Sequence, residues 1–449
     1  MTKFLEDING FVWGAPALVL ILGVGLYLSV RTGFPQLALF PRALRLFRSR
    51  LLRREGTESS FRCLCTALAA TVGTGNLAGV AGAIALGGPG AVFWMWVSGF
   101  FGMATKYAEA TLAVRYRCKE NGEVRGGPMY IMTRGLGNRW KPMAKLYCLF
   151  GVLASFGVGN ATQVNTLTAA VGSMLLSCGM EPGTGMDWLL GILLAVLVAV
   201  ALLGGADRIG KAAEKLIPFA SGGYLLLCVL VLALRFREIP GAFGTILQGA
   251  FSPRAVTGGM LGSAFAALRI GCSRGVFTNE AGMGTAAIAH GGAEVDHPSE
   301  QGLMGIMEVF LDTIVICTLT ALVILVSKVP VFYGTDTGAV LTETAFSRVL
   351  GPGASIFLAA AVCCFAFATI LGWGLYGGRC LQYLLGFPVW KGYALAMSGA
   401  ALLGALLETG PVWLLAETVN GLMAIPNLFT LAALTSEVRR LTIDYRKTG

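Results

Sequence analysis

Long apolar stretches, separated by short polar segments, dominate the chain. An α-helix needs about 20 apolar residues to cross about 30 Å of hydrocarbon. Eleven stretches reach roughly that length, and their pattern lacks the alternation that is typical of barrel strands. The sequence therefore predicts an all-α polytopic membrane protein with eleven transmembrane helices. The predicted spans are residues 11–30, 63–85, 90–114, 145–175, 187–205, 215–234, 256–290, 303–327, 354–378, 392–408 and 411–433.

Two of these spans are interrupted near their middles by glycine and polar residues. The second span contains ALAATVGTGNLAG (67–79), and the seventh contains LRIGCSRGVFTNEAGMGTAAIAH (268–290). A helix break in lipid frees backbone groups that protein or ligand must satisfy. The freed N–H groups suit a carboxylate, and the freed carbonyls suit a cation or an ammonium group. The pair predicts a midplane site for a small neutral zwitterion and a cation, since neither break is expected to carry a strong charge.

The positions of the two interruptions also predict an internal repeat. They occupy spans two and seven, five spans apart, so the second half enters the membrane in the opposite orientation. We expect one transporter domain over 1–449, with inverted repeats at 63–234 and 256–433 and an extra N-terminal helix at 11–30. The alternative for the first stretch is a continuous helix whose Gly75 and Gly79 allow close helix packing.

Composition and charge agree with a membrane protein. The 449 residues are 55% hydrophobic and 13% charged, with a mean hydropathy of +0.71 and a net charge of +10. If the odd-numbered connections are cytoplasmic, 26 of the 34 Lys and Arg residues lie inside and six lie outside. This asymmetry predicts an external N-terminus and a cytoplasmic C-terminus. The first apolar run follows Glu6 and Asp7 and lacks a cleavage site, so we expect a retained helix.

Other classes of function find little support. The 11 cysteines include no C-x-x-C pair, and His290 and His297 border what we interpret as an ordinary loop, so no metal centre is predicted. Neither H-E-x-x-H nor G-x-S-x-G occurs, which argues against an intramembrane enzyme. A channel usually needs an oligomeric pore with repeated filter loops, whereas two inverted breaks in one chain favour alternating access.

Five motifs in order carry a resemblance to a known family. They are TVGTGNLAGVAGAIALGGPGAVFWMW, GGPMYIM, FGVGNATQVNT, GVFTNEAGMGTAAIAH and EVFLDTIVICTLTALVI. Together they resemble the alanine or glycine:cation symporters of the amino acid–polyamine–organocation superfamily, over about residues 10–440. The resemblance implies a leucine-transporter-like fold plus one N-terminal helix. It also implies sodium-coupled uptake of alanine, glycine or a similar amino acid across a bacterial or archaeal cell membrane, with no cofactor, no nucleic acid and no obligate protein partner.

The resemblance also implies a substrate site. Backbone groups of the first break would face the substrate, Gln163 would add a polar contact, and the second break would supply an aromatic lid and polar groups. Trp373 would form a wall. For Gln163 the alternative is a hydrogen bond between helices, and for Trp373 it is ordinary packing. The implied substrate residues are Thr71, Gly73, Thr74, Gly75, Gln163, Phe277, Thr278, Asn279 and Trp373.

A cation site follows from the same resemblance. It would join the carbonyls of Ala69 and Val72, the side-chain oxygen of Asn76 and the hydroxyl of Thr369, a set of hard oxygen ligands suited to sodium. The chain departs from the family pattern nearby. Ala368 stands where relatives usually carry Ser or Thr, Gly374 where a larger residue is common, and Gly378 and Gln382 where Glu is usual.

Several charged residues fall within predicted spans, where charge is costly. Arg274, Glu280, Glu308 and Asp312 are expected to form a charge network. Glu308 and Asp312 lie four apart on one helix face and would pair with Arg274 or with backbone. The alternative is that one of them carries a coupling proton. Lys106 and Glu109, near the cytoplasmic end of span three, are predicted to form a gate or an interfacial pair.

Overall fold

The computed structural model describes residues 2–52, 60–120, 122–252, 264–335, 338–407 and 410–447. Its architecture is almost wholly helical. The helices up to residue 234 are α1 (Thr2–Val12), α2 (Ala15–Thr32), α3 (Pro35–Ala38), α4 (Phe40–Leu52), α5 (Ser60–Thr71), α6 (Val80–Gly87), α7 (Ala91–Arg115), α8 (Pro128–Tyr130), α9 (Lys141–Phe156), α10 (Thr162–Ser177), α11 (Thr184–Leu203) and α12 (Gly205–Leu234).

The helices that follow are α13 (Ile239–Phe251), α14 (Ala264–Asn279), α15 (Thr285–His290), α16 (Pro298–Val309), α17 (Thr318–Val326), α18 (Ala339–Leu350), α19 (Gly353–Leu385), α20 (Trp390–Leu406), α21 (Gly410–Ala433) and α22 (Thr435–Lys447). Shorter helical segments are π-wound at Gly75–Gly79, Ile131–Leu136, Gly157–Ala161 and Phe310–Cys317, and 3₁₀-wound at Asn138–Trp140, Phe236–Glu238 and Phe387–Val389. β1 (Cys118–Glu120) and β2 (Glu123–Arg125) form an antiparallel hairpin, with Cys118 opposite Arg125.

Seven described helices are long and apolar enough to cross a membrane, and up to nine spans result if each bent pair counts as one. The seven are Asp7–Thr32, Asn138–Ser177, Gly185–Leu203, Gly205–Leu234, Pro298–Val326, Gly353–Leu385 and Phe387–Leu406. The bent pairs are Ser60–Thr71 with Gly75–Gly87, at 53°, and Leu415–Ala433 with Thr435–Lys447, at 59°. The start of the predicted seventh span and second repeat, residues 256–263, lies outside the described residues.

Helix α7 lies at the centre of the bundle. It packs against α2, α14 and α16, while α19 packs against α5, α9, α10 and α12. The helices α14 and α16 carry glycine where they contact α7. A Cβ placed on Gly271 or Gly305 would lie 2.2 Å or 2.7 Å from a backbone oxygen of α7, so α14 and α16 approach α7 more closely than larger side chains would permit. This close packing fixes α14, the first half of the second interrupted span, against α7, which also contacts α6 of the first interrupted span.

Several elements lie outside the predicted spans. α4, α13, α18, α22 and the hairpin are too polar or too short for a transmembrane signal. Helix α18 nevertheless belongs to the site region, because the Thr342 hydroxyl donates to the Leu77 carbonyl inside the first interrupted span (3.0 Å).

Candidate functional site

The first interrupted helix breaks between Thr71 and Gly75. The backbone N–H of Gly73 donates to Asn76 Oδ1 (2.8 Å) instead of continuing the helix ladder. In a continuous helix that N–H would bond the carbonyl of Ala69, so the Ala69 carbonyl is left without its helical donor. Asn76 was expected to offer this oxygen to the ion, but the structure uses it to cap the break.

Polar side chains fix the break to the neighbouring helix α10. Thr74 donates its hydroxyl proton to Gln163 Oε1 (2.9 Å), and Gln163 Nε2 donates to the carbonyl of Val158 (3.0 Å). Gln163 therefore contacts the break directly, and both Thr74 and Gln163 line the cavity described below. The Thr71 hydroxyl donates to the Ala67 carbonyl of its own helix (3.2 Å).

The second interrupted helix breaks between Asn279 and Thr285, over a longer segment. Three residues there have positive φ: Glu280 (53°), Gly282 (96°) and Gly284 (80°). Glycine adopts this left-handed region readily, whereas glutamate does so at a cost. Glu280 therefore occupies a strained position that its surroundings must stabilise.

Side chains from three other helices hold this second break. Glu109 Oε1 accepts the N–H groups of Gly282 and Gly284, both at 3.0 Å, and the side-chain amide of Asn427 at 2.7 Å. Asn427 also donates to the Gly282 carbonyl (2.8 Å), and Tyr147 donates to the carbonyl between the two glycines (3.0 Å). The prediction of Lys106 and Glu109 as an interfacial pair is thus wrong: both are fully buried, Glu109 caps the break, and Lys106 pairs with Glu308.

Hydrogen bonds to both carboxylate oxygens fix the orientation of the Glu280 side chain. Trp373 Nε1 donates to Oε1 (3.1 Å), and the Thr285 hydroxyl donates to Oε2 (2.6 Å). Since Glu280 also lines the cavity, the expectation that neither break contains a strongly charged residue type is wrong for the second break. Trp373 is a cavity wall and a positioning contact at once.

A cavity of about 330 Å³ lies between the two breaks and continues toward α10 and α18. The predicted residues that line it are Thr71, Gly73, Thr74, Gly75, Gln163, Arg274, Phe277, Thr278, Glu280, Thr369 and Trp373. Ala69, Val72, Asn76 and Asn279 do not line it. Asn279 lies behind the break, where it donates to Thr313 Oγ1 (3.0 Å) and accepts the Ala281 N–H (2.9 Å).

Thr369, one of the residues predicted to bind the cation, lies at the first break. A Cβ placed on Gly73 would lie 2.7 Å from Thr369 Oγ1, so this hydroxyl lies directly against the broken backbone. Thr369 donates its proton to the Phe365 carbonyl (3.0 Å), which leaves the oxygen lone pairs available for a cation. Ala69, Val72 and Ala368 are all buried in one large apolar core.

The intramembrane acids do not form the predicted pairing with Arg274. Glu308 instead contacts Lys106 Nζ (2.8 Å) and His290 Nε2 (2.9 Å), and all three side chains are fully buried. Asp312 accepts from Asn76 Nδ2 (2.7 Å) and from the Thr313 hydroxyl (2.8 Å). The two acids lie about one turn apart along this helix, which is π-wound from Phe310. Each carboxylate therefore contacts the partners at its own level.

His290 is not part of an ordinary loop. It ends α15 at full burial, and Gln301 Nε2 donates to its Nδ1 (2.6 Å). The other ring nitrogen, Nε2, faces Glu308. Gln301 in turn accepts from the Ser60 hydroxyl (2.5 Å), so one chain of hydrogen bonds joins the first residue of α5 to the last of α15. His297 does border the loop, where it caps α16 by accepting the Ser299 N–H (3.1 Å).

The departures from the family pattern at positions 374, 378 and 382 lie outside the cavity lining. A Cβ on Gly374 would meet Leu202 at 2.6 Å, and one on Gly378 would meet the ring of Trp390 at 2.4 Å. Gln382 accepts from Arg379 (3.1 Å) near the hairpin. These small residues accommodate bulky neighbours from other helices and leave the cavity lining unchanged.

Sequence reasoning missed four residues of the site. No local sequence signal marks Asn427, Tyr147 or the capping role of Glu109. Each of these side chains bonds to backbone groups more than 100 positions away. Trp13 lies between α1 and α2 and packs edge-on against Phe277, with ring centroids 6.3 Å apart. The N-terminal helices therefore reach the aromatic residue at the second break.

Known proteins resemble this chain over its full length. A model of the sodium:alanine symporter family matches residues 1–449. The sodium/alanine symporter AgcS of Methanococcus maripaludis is 44% identical over 443 residues, which cover 97% of this chain and 95% of that protein. The amino-acid carrier protein AlsT of Bacillus subtilis is 36% identical over 446 residues, which cover 98% and 91%.

A solved structure shares the fold. MhsT in complex with L-phenylalanine superimposes with a TM-score of 0.57 at 13% identity, covering 85% of this chain and 97% of MhsT. This likeness shows a leucine-transporter-like architecture. With the full-length family match, it establishes that the chain belongs to the sodium:alanine symporter family and is a multi-pass membrane transporter.

Proposed function

We propose that the chain imports a small neutral amino acid, alanine or glycine, by symport with sodium through alternating access. The observation that carries this proposal is the cavity between two broken helices, lined by backbone of the first break and by Phe277, Thr278 and Glu280 of the second. The substrate carboxylate would face the N–H end of Gly75–Gly79, and its ammonium group would face carbonyls and the Glu280 side. Phe277 and Trp373 would form the walls around the substrate side chain.

The coupling ion in this proposal binds beside Thr369. The carbonyls of Ala69 and Val72 would join the Thr369 hydroxyl, which lies against Gly73. Because Ala368 carries no oxygen, a water or another carbonyl would complete the shell. Asn76 would act indirectly here, by capping Gly73 and thereby freeing the Ala69 carbonyl.

A proton-coupled carrier of the same fold is the second candidate. It is favoured by Asp312, a fully buried acid whose described partners are the neutral side chains of Asn76 and Thr313. A buried carboxylate without a cationic partner is expensive unless it holds a proton. In that case Asp312 would carry the coupling proton beside the first break.

We also propose eleven transmembrane helices, a 5+5 inverted repeat, an external N-terminus and a cytoplasmic C-terminus. The two broken spans, each packed against α7, support the repeat. Cysteine labelling from either side of sealed vesicles tests the orientation. We expect label at position 300 only from the cytoplasmic side and at position 335 only from the external side, and the reverse pattern would contradict the orientation.

Uptake in proteoliposomes tests the function. Radiolabelled alanine and glycine would be offered with sodium, lithium or proton gradients imposed one at a time. We expect saturable uptake that requires inward sodium and is lost when the gradient is collapsed. Uptake that follows the proton gradient in sodium-free buffer would support the Asp312 alternative, and uptake that does not saturate would contradict a carrier.

A further inference from the structure

A second cavity lies on the lipid side of the bundle, away from the transport site. Phe40 of α4, Trp96 and Phe100 of α7, and Phe310 and Ile314 of the π-wound segment Phe310–Cys317 line a groove of about 670 Å³. We call it the aromatic groove. It follows α7 for about 10 Å, from Trp96 to Met103. Its walls are almost entirely apolar, which suits an acyl chain.

One polar group in the groove has no partner. Gln36 lines the groove and is only 2% exposed, and its Nε2 donates to Ser29 Oγ (2.8 Å). Its Oε1 has no hydrogen-bond partner among the described residues. Buried acceptors are nearly always satisfied. This oxygen has almost no accessible surface, so a ligand hydroxyl or amine in the groove would donate to it once the Gln36 amide turns toward the groove.

Positive charge borders the same end of the groove. Pro41 lines the groove, and Arg45 and Arg48 lie one and two helical turns further along α4. Arg45 also lines a neighbouring cavity together with Asp296 and Glu300. Both arginines are exposed, α4 contains no acidic residue, and neither arginine forms an ion pair with another described residue. Leu44 and Leu51 are exposed between them, a mixture typical of a helix at the membrane interface.

We propose that the aromatic groove binds an anionic phospholipid whose headgroup carries hydroxyl donors. The acyl chain lies between α4, α7 and the Phe310–Cys317 segment. The phosphate contacts Arg45 and Arg48, and a headgroup or glycerol hydroxyl donates to Gln36 Oε1. A zwitterionic lipid offers no net charge to the arginines, so the anionic lipid is preferred.

Tryptophan fluorescence gives a direct test, because Trp96 lines the groove. The full-length protein is reconstituted in vesicles of phosphatidylcholine that contain increasing fractions of phosphatidylglycerol or phosphatidylcholine with brominated chains. The Trp96 signal is the difference between wild type and Trp96→Phe. Two arginines contribute roughly 1 kcal/mol each, so brominated phosphatidylglycerol should quench Trp96 at a mole fraction at least about tenfold lower than brominated phosphatidylcholine does.

Three variants locate the contact. Arg45→Gln with Arg48→Gln should abolish the preference for phosphatidylglycerol, and Gln36→Leu should reduce it. Arg439→Gln with Arg440→Gln removes the same charge from α22 and should leave the preference intact. Equal quenching of Trp96 by both lipids in wild type, or a preference that survives the loss of Arg45 and Arg48, would overturn the proposal.

Discussion

The two helix breaks are held open in different ways. The first spans only residues 72–74, and its cap, Asn76, belongs to the same span. The second spans residues 280–284, and Glu109, Asn427 and Tyr147 from other helices satisfy its backbone. The first break therefore keeps backbone groups available to the cavity. The backbone of the second break is bonded to the surrounding helices, and this break contributes side chains to the cavity. If the proposed substrate binds in this cavity, we expect it to contact backbone groups at the first break and side chains at the second.

The largest effect should come from removing the clamp on the second break. Glu109→Ala leaves three buried donors without an acceptor, the N–H groups of Gly282 and Gly284 and the Asn427 amide. Each unsatisfied donor costs about 1–3 kcal/mol, so we expect a strong loss of thermal stability and of folded protein. Size-exclusion chromatography and thermal unfolding in detergent measure this.

Two controls distinguish the clamp from general damage to α7. Glu109→Gln keeps an oxygen at the acceptor position and should retain most of the stability. Thr111→Val removes a buried hydroxyl from the same helix that has no hydrogen-bond partner among the described residues. A Glu109→Ala protein as stable as Thr111→Val would show that Glu109 does not hold the break.

The next effect concerns the backbone of the first break. A Cβ on Gly73 would lie 2.7 Å from Thr369 Oγ1, whereas one on Gly75 would meet its nearest neighbour at 3.6 Å. We expect Gly73→Val to reduce alanine uptake by at least about 100-fold, that is about 3 kcal/mol or more of lost binding, without unfolding. Gly75→Ala should be tolerated. Uptake per folded protein is the measurement, and normal uptake by Gly73→Val would place the site elsewhere.

Whether the sequence predicts a feature of the site depends on how far apart along the chain the contacting residues lie. Glycine and polar residues inside an apolar span are visible locally, so both breaks could be placed. The partners of the second break could not, because a backbone N–H has no sequence signature. His290 was misread for a related reason: its neighbours suggest a loop, whereas its burial arises from Glu308 and Gln301 on a different helix.

A smaller effect is expected at the proposed ion site, which belongs to the first break. Thr369→Ala removes one oxygen ligand, and a loss of about 1.4 kcal/mol would raise the sodium concentration for half-maximal uptake about tenfold. Thr369→Ser keeps the hydroxyl and should behave nearly as wild type. Ala368→Ser should strengthen sodium dependence if position 368 reaches the ion. Unchanged sodium dependence in Thr369→Ala would remove this residue from the ion site.

The smallest effect should come from the contact that supports the second break from the N-terminal side. Trp13 packs edge-on against Phe277, and it is fixed by its Nε1 donating to the Glu417 carbonyl (3.0 Å). An aromatic pair of this geometry contributes about 0.5–1.5 kcal/mol. Trp13→Leu should therefore raise the KM for alanine by roughly two- to tenfold while leaving the sodium dependence unchanged, because the ion site lies at the other break. Trp188→Leu, at a tryptophan that is 54% exposed, is the matched control. If Trp13→Leu shifted the sodium dependence as strongly as the KM for alanine, substrate binding and ion binding would not be separated between the two breaks.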